Sequence, residues 1–216
     1  RRRERICSEL LTNRTSIPAS LDGEIPLRSP LSEWRKKMIS DNALLIIDMQ
    51  QGLFRGPVSP CSADAVLANI RLLIANARHA RVPVFFARHV GPDDSPFSAQ
   101  GPLTQLIPEL DVKEQDVVFT KRHPSCFRDT ELLRELNQRG IKQLVIAGMK
   151  TEFCVDTTCR AAPELGFRTV LISDAHTTMD NAHLSATDII AHHNSTLAGP
   201  FVMLSTASGW HFNTVS

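Results

Sequence analysis

The sequence predicts an α/β fold in which a six-stranded, mainly parallel sheet carries helices on both faces. Two observations predict this fold. Short, continuously apolar runs recur along the chain, as expected of strands that are buried on both faces. Segments with helical periodicity separate these runs, and this alternation is typical of parallel sheets whose crossover helices cover both faces.

Each predicted strand is an apolar run that ends in a polar or turn-forming segment. In chain order the strands are ALLIID (43–48), VPVFFA (82–87), DVVFTK (116–121), KQLVIAG (142–148), RTVLIS (168–173) and FVMLS (201–205). Because crossover connections are right-handed, the carboxyl ends of parallel strands meet at one edge of the sheet, where ligands bind in this class of fold.

Helical segments follow four of the strands. They cover 63–80, 129–140, 154–166 and a segment with Ala186, Ile190, His193 and Leu197 on one face. We expect Asp129 to cap the second of these helices and Gly140 to end it. Pro163 lies inside the third helix, and an interior proline removes a backbone hydrogen bond, so we expect that helix to kink or end near Ala162.

The bulk composition indicates one soluble domain with an N-terminal extension. A chain of 216 residues is long enough to bury a sizeable core. We place the domain at 41–216 and interpret 1–40, which has three prolines and little periodicity, as an arm with a short helix at SEWRKKM (32–38). The formal net charge of +1 gives no reason to expect nucleic acid or a membrane as partner, and the apolar runs are too short to span a bilayer.

The cysteines and the glycines exclude several kinds of site. Five cysteines are an odd number, and they are spread without zinc-ligand spacing, which predicts reduced thiols in a cytoplasmic protein. The chain also lacks the GxGxxG and P-loop patterns, so we expect no nucleotide cofactor.

Three chemically reactive side chains lie where predicted strands end. Asp48 closes the first strand, Lys121 closes the third, and Cys154 begins the helix after the fourth. At the shared edge Asp48 could accept the thiol proton as a general base, and the helix N-terminus would favour a thiolate. Lys121 would keep Asp48 ionised and stabilise a developing negative charge.

Four segments carrying these residues resemble the isochorismatase-like cysteine hydrolases. They are LLIIDMQ (44–50), VVFTKRHPSCF (117–127), AGMKTEFCVDTTCRAAPELGF (147–167) and ISDAHTTMD (172–180). The resemblance implies a Rossmann-like three-layer α/β/α sandwich and an Asp–Lys–Cys triad made of Asp48, Lys121 and Cys154. It further implies a cis peptide at Met149–Lys150, an oxyanion hole from the Lys150 and Cys154 amides, and a homo-oligomer, either a dimer or a tetramer.

The resemblance leaves the small-molecule substrate open. A cysteine in the triad favours hydrolysis of an amide or a related C–N bond through a thioester, without a cofactor. Nicotinamidases, which are similar to this family, carry a metal-binding Asp/His set after the second strand. The corresponding segment here, ARHVGPDDSPF (87–97), lacks that arrangement, so we expect no metal and consider nicotinamide a poor candidate.

Other residues near the predicted edge are weaker candidates. Gln50, Phe54, His123 and Phe153 are predicted to line the substrate pocket, although core packing explains each of them equally well. Cys126 is placed near the pocket rim.

Asp174 is expected to fix loop hydrogen bonds, and His176 to lie at the same edge. We expect Cys159 to pack against the sheet and His193 to lie in the core or at an interface.

Three alternatives to the amide hydrolase stay open at this point. The first is a vinyl ether hydrolase of the isochorismatase type, and the second is a non-catalytic binding protein that retains the fold. The third is a thiol redox protein, which would require a disulfide between Cys154 and Cys159.

Overall fold

The computed structural model describes residues 40–212. The short helix predicted at 32–38, and all of the predicted extension before residue 40, lie outside the described residues. Within residues 40–212, no helix is both long enough and apolar enough to cross a membrane.

The described residues contain a six-stranded sheet, and all of its neighbouring strands are parallel. The strands are β1 (Asn42–Ile47), β2 (Val84–His89), β3 (Val117–Lys121), β4 (Gln143–Met149), β5 (Arg168–Thr177) and β6 (Met203–Ser205). Their spatial order is β3-β2-β1-β4-β5-β6. This arrangement confirms the predicted α/β class and its parallel sheet.

Helices cover both faces of the sheet, so the architecture is the predicted three-layer sandwich. The helices are α1 (Gln51–Phe54), α2 (Ala63–His79), α3 (Leu132–Gln138), α4 (Asp156–Glu164) and α5 (Ala186–Leu197). Successive side chains of a strand point to opposite faces. Leu44 and Ile46 of β1 therefore pack in one core cluster with α2, whereas Leu45 and Ile47 pack in a second cluster with α3, α4 and α5.

The strand order reverses direction between β1 and β4. From β1 the chain moves outward through β2 to β3, and from β4 it moves the other way through β5 to β6. In open α/β sheets, the crevice at such a switch point is the usual ligand site. The fold thus places the end of β1 beside the end of β4.

Gly148 lets β1 and β4 approach each other at this switch point. Its φ of 123° is a left-handed value that side chains other than glycine's rarely adopt. A Cβ at this position would lie 2.1 Å from the carbonyl oxygen of Ile47, its register partner on β1. Only glycine fits here without displacing one of the two strands.

Two predictions about the helices differ from the structure. Asp129 does not cap α3, because this helix begins only at Leu132 and Asp129 lies two residues before its N-cap residue, Glu131, which makes no side-chain cap. The end of α4 lies two residues beyond the predicted one: Pro163 is inside the helix, which ends at the next residue, Glu164. Pro163 lacks the N–H that would bond to the carbonyl four residues earlier.

Candidate active site

The side chains of Asp48, Lys121 and Cys154 meet at the carboxyl edge of the sheet. The Lys121 Nζ atom lies 2.7 Å from Asp48 Oδ2 and donates to Cys154 Sγ at 3.2 Å. Both charged side chains are almost fully buried, with exposed fractions of 1% for Asp48 and 0% for Lys121. The three residues follow or end β1, β3 and β4, so the fold alone brings them together.

Asp48 reaches this position through an unusual backbone conformation. Its φ is 53°, in the left-handed region, which aspartate tolerates better than most residues. Oδ1 of its carboxylate is buried and has no hydrogen-bond partner among the described residues. That oxygen therefore has a lone pair available to accept a proton.

His89 is a fourth member of the cluster, and the sequence analysis missed it. Its Nδ1 atom lies 3.3 Å from Lys121 Nζ, and one of its ring nitrogens lies within 4.8 Å of both the Asp48 carboxylate and Cys154 Sγ. His89 ends β2 and is the register partner of Lys121 on β3. The signal was present in the sequence, but the predicted second strand ended two residues too early, at Ala87.

Burial and charge set the protonation of the cluster. Burial raises the pKa of the Asp48 carboxyl above its ordinary value, and the Lys121 ammonium opposes that rise. Burial alone would lower the pKa of Lys121, but the carboxylate of Asp48 overrides this effect and the pKa is raised. The 2.7 Å contact between Lys121 Nζ and Asp48 Oδ2 has the geometry of an ion pair.

The thiol of Cys154 is protonated in the resting protein. Burial, together with the nearby Asp48 carboxylate, raises the pKa of this thiol to about 12, although Lys121 acts in the opposite direction. The expected preference for a thiolate at a helix N-terminus is therefore overridden. Proton transfer from this thiol needs a base, and the Asp48 carboxylate, which has an oxygen within 4.8 Å of the sulfur, can accept the proton.

The turn that carries Cys154 differs from the predicted helix start. The Met149–Lys150 peptide is cis, as the resemblance implied. Residues Thr151–Val155 form a π-helical turn, and the α-helix begins only at Asp156. The Lys150 amide has no hydrogen-bond partner among residues 40–212, so it is free to donate to an oxyanion.

A chain of neutral hydrogen bonds fixes this turn. Asn194 donates from Nδ2 to the Ser173 carbonyl, so its Oδ1 accepts from Nε2 of His176 at 2.9 Å. The other ring nitrogen of His176, Nδ1, then accepts from the Thr151 hydroxyl at 2.9 Å. Burial lowers the pKa of His176, which keeps the ring neutral, as this pattern requires. His176 lies at the predicted edge and anchors the first residue of the turn.

Two residues predicted to line the pocket have their side chains engaged elsewhere. Gln50 is fully buried, and its amide makes one hydrogen bond each with the His89 N–H, the His89 carbonyl and the Thr104 carbonyl. Phe54 is 2% exposed and belongs to the core cluster under α2. Both lie close to Asp48 in sequence, but their side chains are buried and do not line the pocket.

The other two predicted pocket residues remain accessible. Phe153 is 53% exposed and lies next to Cys154 in the turn. His123 is partly exposed, its Nε2 lies 3.3 Å from Asp129 Oδ2, and its carbonyl accepts from Lys121 at 3.2 Å. Both are available to contact a ligand.

Two other cysteines and two polar residues that the sequence analysis singled out have structural positions. Cys126 is not at the rim but is fully buried in the core, where burial raises the pKa of its thiol to about 12. Cys159 is also fully buried, in the same core cluster as Cys126. It packs against the sheet, as predicted. Asp174 accepts from the Ala207 amide at 2.8 Å, which fixes a loop as expected. His193 is partly buried, and its Nδ1 lies 2.8 Å from the Ile189 carbonyl within α5.

The cluster contains three side chains of the kind that bind metals, but it does not fit a metal ion. Asp48, His89 and Cys154 present ligand atoms within 4.8 Å of one another. The Lys121 ammonium lies among them, at 2.7 Å from the carboxylate, 3.2 Å from the sulfur and 3.3 Å from the imidazole. A divalent cation in the same space would be repelled by this charge.

Comparison with known proteins gives consistent matches. Residues 42–198 match the family described as the isochorismatase domain. The secreted isochorismatase effector Isc1 of Verticillium dahliae is 34% identical over 136 residues, which cover 62% of this chain and 72% of that protein. Nicotinamidase 3 of Arabidopsis thaliana is 31% identical over 159 residues, covering 67% of this chain and 77% of that protein. A crystal structure of an isochorismatase family protein is 34% identical with a TM-score of 0.73, covering 78% of this chain and 100% of that one.

Proposed function

The chain belongs to the isochorismatase family, as its motifs indicated, and from this premise we propose that it is a cysteine hydrolase of small amides or related C–N bonds. The observation that carries the proposal is the position of the Lys121 ammonium. It contacts the Asp48 carboxylate and the Cys154 sulfur at once, at 2.7 and 3.2 Å. A nucleophile, a base and a positive charge therefore lie within hydrogen-bond reach of one another, which is the arrangement that covalent catalysis needs.

The first half of the proposed reaction is acylation. The Cys154 thiol gives its proton to Asp48 as the sulfur attacks the substrate carbonyl carbon, forming a tetrahedral intermediate with a negative oxygen. The amides of Lys150 and Cys154 stabilise this oxyanion, and Lys121 stabilises the sulfur while charge develops. Asp48 then returns the proton to the leaving nitrogen as the C–N bond breaks, which releases an amine and leaves a thioester.

The second half is hydrolysis of the thioester. Asp48 accepts a proton from a water molecule, whose oxygen attacks the thioester carbonyl in the same oxyanion hole. The C–S bond then breaks, the sulfur recovers the proton, and a carboxylic acid leaves. The raised pKa of Asp48 suits this role, because a base works best when its pKa lies close to the working pH.

The relatives support an amide as substrate more than another bond. One of them, from Arabidopsis thaliana, is a nicotinamidase, so amide hydrolysis occurs among similar proteins. Nicotinamide itself is disfavoured here, because the segment after β2 lacks the expected Asp/His set. The vinyl ether reaction needs no thiol nucleophile, and it would leave Cys154 and its surroundings without a role.

We keep the expectations of a cytoplasmic location and of a homo-oligomer, a dimer or a tetramer, as predictions. The Verticillium dahliae relative is a secreted effector, so fractionation of the native source is the test of location. Light scattering of the purified protein tests the oligomeric state.

The proposal is tested by screening a panel of small amides against the purified protein. For any amide that is hydrolysed, the protein is quenched during turnover and its intact mass is measured. We expect an added acyl mass that digestion assigns to Cys154, and we expect complete alkylation of this thiol by iodoacetamide to abolish turnover. Hydrolysis that continues after Cys154 has been fully alkylated would overturn the proposal. A thiol that reacts with nothing at neutral pH would favour the non-catalytic binding protein.

A further inference from the structure

The Lys121 ammonium has no hydrogen left for a substrate. An ammonium carries three N–H donors. Four acceptors surround Lys121 Nζ, namely Asp48 Oδ2 at 2.7 Å, Cys154 Sγ and the His123 carbonyl at 3.2 Å, and His89 Nδ1 at 3.3 Å. The side chain is also 0% exposed. Any polar contact between a substrate and this side of the cluster must come from another residue.

The lysine fixes the tautomer of His89. An N–H on Nδ1 of His89 would point at the positive charge of Lys121, 3.3 Å away, so a neutral ring carries its proton on Nε2 instead. Burial and the charge of Lys121 lower the pKa of His89, which keeps the ring neutral. Nε2 has no hydrogen-bond partner among the described residues. The ring of His89, one of whose nitrogens lies within 4.8 Å of Cys154 Sγ, therefore carries one uncharged N–H donor that no described residue uses.

The main chain at His89 is rigid. Gln50 accepts from the His89 amide at 2.8 Å and donates to the His89 carbonyl at 2.9 Å. The same Gln50 amide donates to the Thr104 carbonyl at 2.9 Å, and its side chain is fully buried. Two hydrogen bonds thus hold the backbone of His89, and Lys121 holds its ring. Such preorganisation is what a specific binding group requires.

We propose that His89 is a substrate-binding residue, which donates a hydrogen bond from Nε2–H to an acceptor atom of the substrate near the scissile carbonyl. The inference rests on the proposed function, because it takes Cys154 as the nucleophile. A ring nitrogen of His89 lies within 4.8 Å of Cys154 Sγ. A carbonyl carbon under attack lies about 3 Å from the sulfur, and a hydrogen bond spans about 3 Å. The two nitrogens of an imidazole are close to each other, so the acceptor lies within a few bonds of that carbon.

This geometry defines a chemical class of substrate. It is an amide that carries a neutral acceptor, such as a second carbonyl oxygen or a ring nitrogen, close to the carbonyl that is attacked. Within this class nicotinamide stays disfavoured, because the segment after β2 lacks the expected Asp/His set. A substrate with an ammonium at that position is rejected, because it would face the N–H of His89 and the charge of Lys121.

The competing explanation is that His89 only orients Lys121, and two substitutions separate the two roles. His89→Asn keeps an oxygen near the position of Nδ1, so it retains the contact with Lys121 but loses the second donor. His89→Gln places its amide N–H₂ near the position of Nε2, so it retains the donor. A substrate-binding role is therefore rescued by glutamine, whereas a role in orienting Lys121 is rescued by asparagine.

Pyridine carboxaldehydes are suitable probes while the substrate is unidentified. The thiol adds to the aldehyde carbon, and its proton moves to the new hydroxyl, which gives a reversible hemithioacetal. The 2- and 3-isomers carry a ring nitrogen two and three bonds from the aldehyde carbon. The 4-isomer has the same electron-poor ring with its nitrogen out of reach, so it is the matched control. Binding is measured as protection of Cys154 from iodoacetamide, by intact mass.

We expect the wild-type protein to bind the 2- or the 3-isomer about tenfold more tightly than the 4-isomer, the value of one good hydrogen bond. The preference should persist in His89→Gln and disappear in His89→Asn. Equal binding of the three isomers by the wild type, or a preference that asparagine retains and glutamine loses, would overturn the inference.

Three further results keep the test decisive. If the variants fail to fold, ¹⁵N NMR of the histidine-labelled wild type still reports the tautomer, and a ring with its proton on Nδ1 would refute the inference. If iodoacetamide does not label Cys154 at all, the proposed function fails and this inference falls with it. If labelling and aldehyde protection are normal but no isomer is preferred, only this inference fails.

Discussion

The two sides of the sheet's carboxyl edge are built by different forces. On one side, Asp48, His89 and Lys121 at the ends of β1, β2 and β3 form what we call the charged half. Its central contact is a buried ion pair with 2.7 Å between Lys121 Nζ and Asp48 Oδ2. Charges hold this half together, and charges determine which of its groups carries a proton.

On the other side, Thr151, His176 and Asn194 form the neutral half, around the turn that carries Cys154. Every bond in it joins uncharged groups, and Thr151 and His176 are at most 1% exposed. The two halves therefore have different roles in the proposed reaction. The charged half supplies the base and the stabilising charge, whereas the neutral half only holds the nucleophile in place. Damage to the charged half should therefore reduce the rate far more than damage to the neutral half.

Removing the charge of Lys121 should have the largest effect. Lys121→Met leaves Asp48 buried without its cation, and the negative charge of the reaction loses its stabilisation. We expect kcat/KM for an identified amide to fall on the order of a hundredfold to a thousandfold. The buried pair is also broken, which costs about 3–5 kcal/mol of stability.

A double variant separates these two consequences. Asp48→Asn combined with Lys121→Met removes both charges, so thermal melting should show most of the lost stability recovered, while kcat/KM should be no higher than in Lys121→Met. Wild-type kcat/KM in Lys121→Met would contradict the role given to the charged half.

The close contact between β1 and β4 at Gly148 lies between the two halves, and disrupting it should have the second largest effect. Gly148→Ala would place a Cβ 2.1 Å from the Ile47 carbonyl oxygen, so β1 and β4 must separate. We expect a loss of more than about 2 kcal/mol in the free energy of unfolding, measured with urea. Gly140→Ala is the control, because Gly140 also has a left-handed φ, of 70°, but has nothing within 4 Å. It should cost only about 1 kcal/mol. Equal losses for both variants would mean that the close approach of the strands is unimportant.

The pH dependence tests the charged half without a mutation. Asp48 must be ionised to accept the thiol proton, and burial raises its pKa. The value of kcat/KM should therefore fall about tenfold per pH unit below this raised pKa. We expect the acid limb of the profile at a higher pH than the ordinary aspartate value of 3.8. An acid limb at that ordinary value would contradict the assignment of Asp48 as the base.

The smallest effect is expected in the neutral half. Thr151→Val keeps the shape of the side chain but leaves Nδ1 of His176 buried without a donor. We expect kcat to fall about tenfold, the equivalent of one lost hydrogen bond, with little change in the pH profile. Thr151→Ser restores the hydroxyl and should recover the rate. A fall as large as that of Lys121→Met, or a serine variant without recovery, would remove the distinction between the two halves.

Much of the fold was predictable because buried parallel strands are continuous apolar runs. The parallel sheet follows from such runs, and so does the meeting of Asp48, Lys121 and Cys154 at one edge. Errors at strand ends had larger consequences than their size suggests. Ending β2 at Ala87 instead of His89 hid the register partner of Lys121, and with it a member of the cluster.

Other features depend on side-chain partners that a single sequence does not reveal. Gln50 lies two residues after Asp48 in the sequence, yet its side-chain amide points into the protein and binds the His89 backbone. Cys126 was expected at the rim, but packing carries it into the core. The raised pKa of the Cys154 thiol likewise depends on burial and on neighbours distant in the chain.

The central claim is that Cys154 is the nucleophile, and turnover by Cys154→Ala tests it most directly. The variant removes the sulfur without adding bulk, so the fold and the Asp48–Lys121 pair should persist. With an amide that the wild type hydrolyses, we predict no hydrolysis by the variant above the rate in buffer alone. Hydrolysis at the wild-type rate would show that the thioester mechanism is wrong.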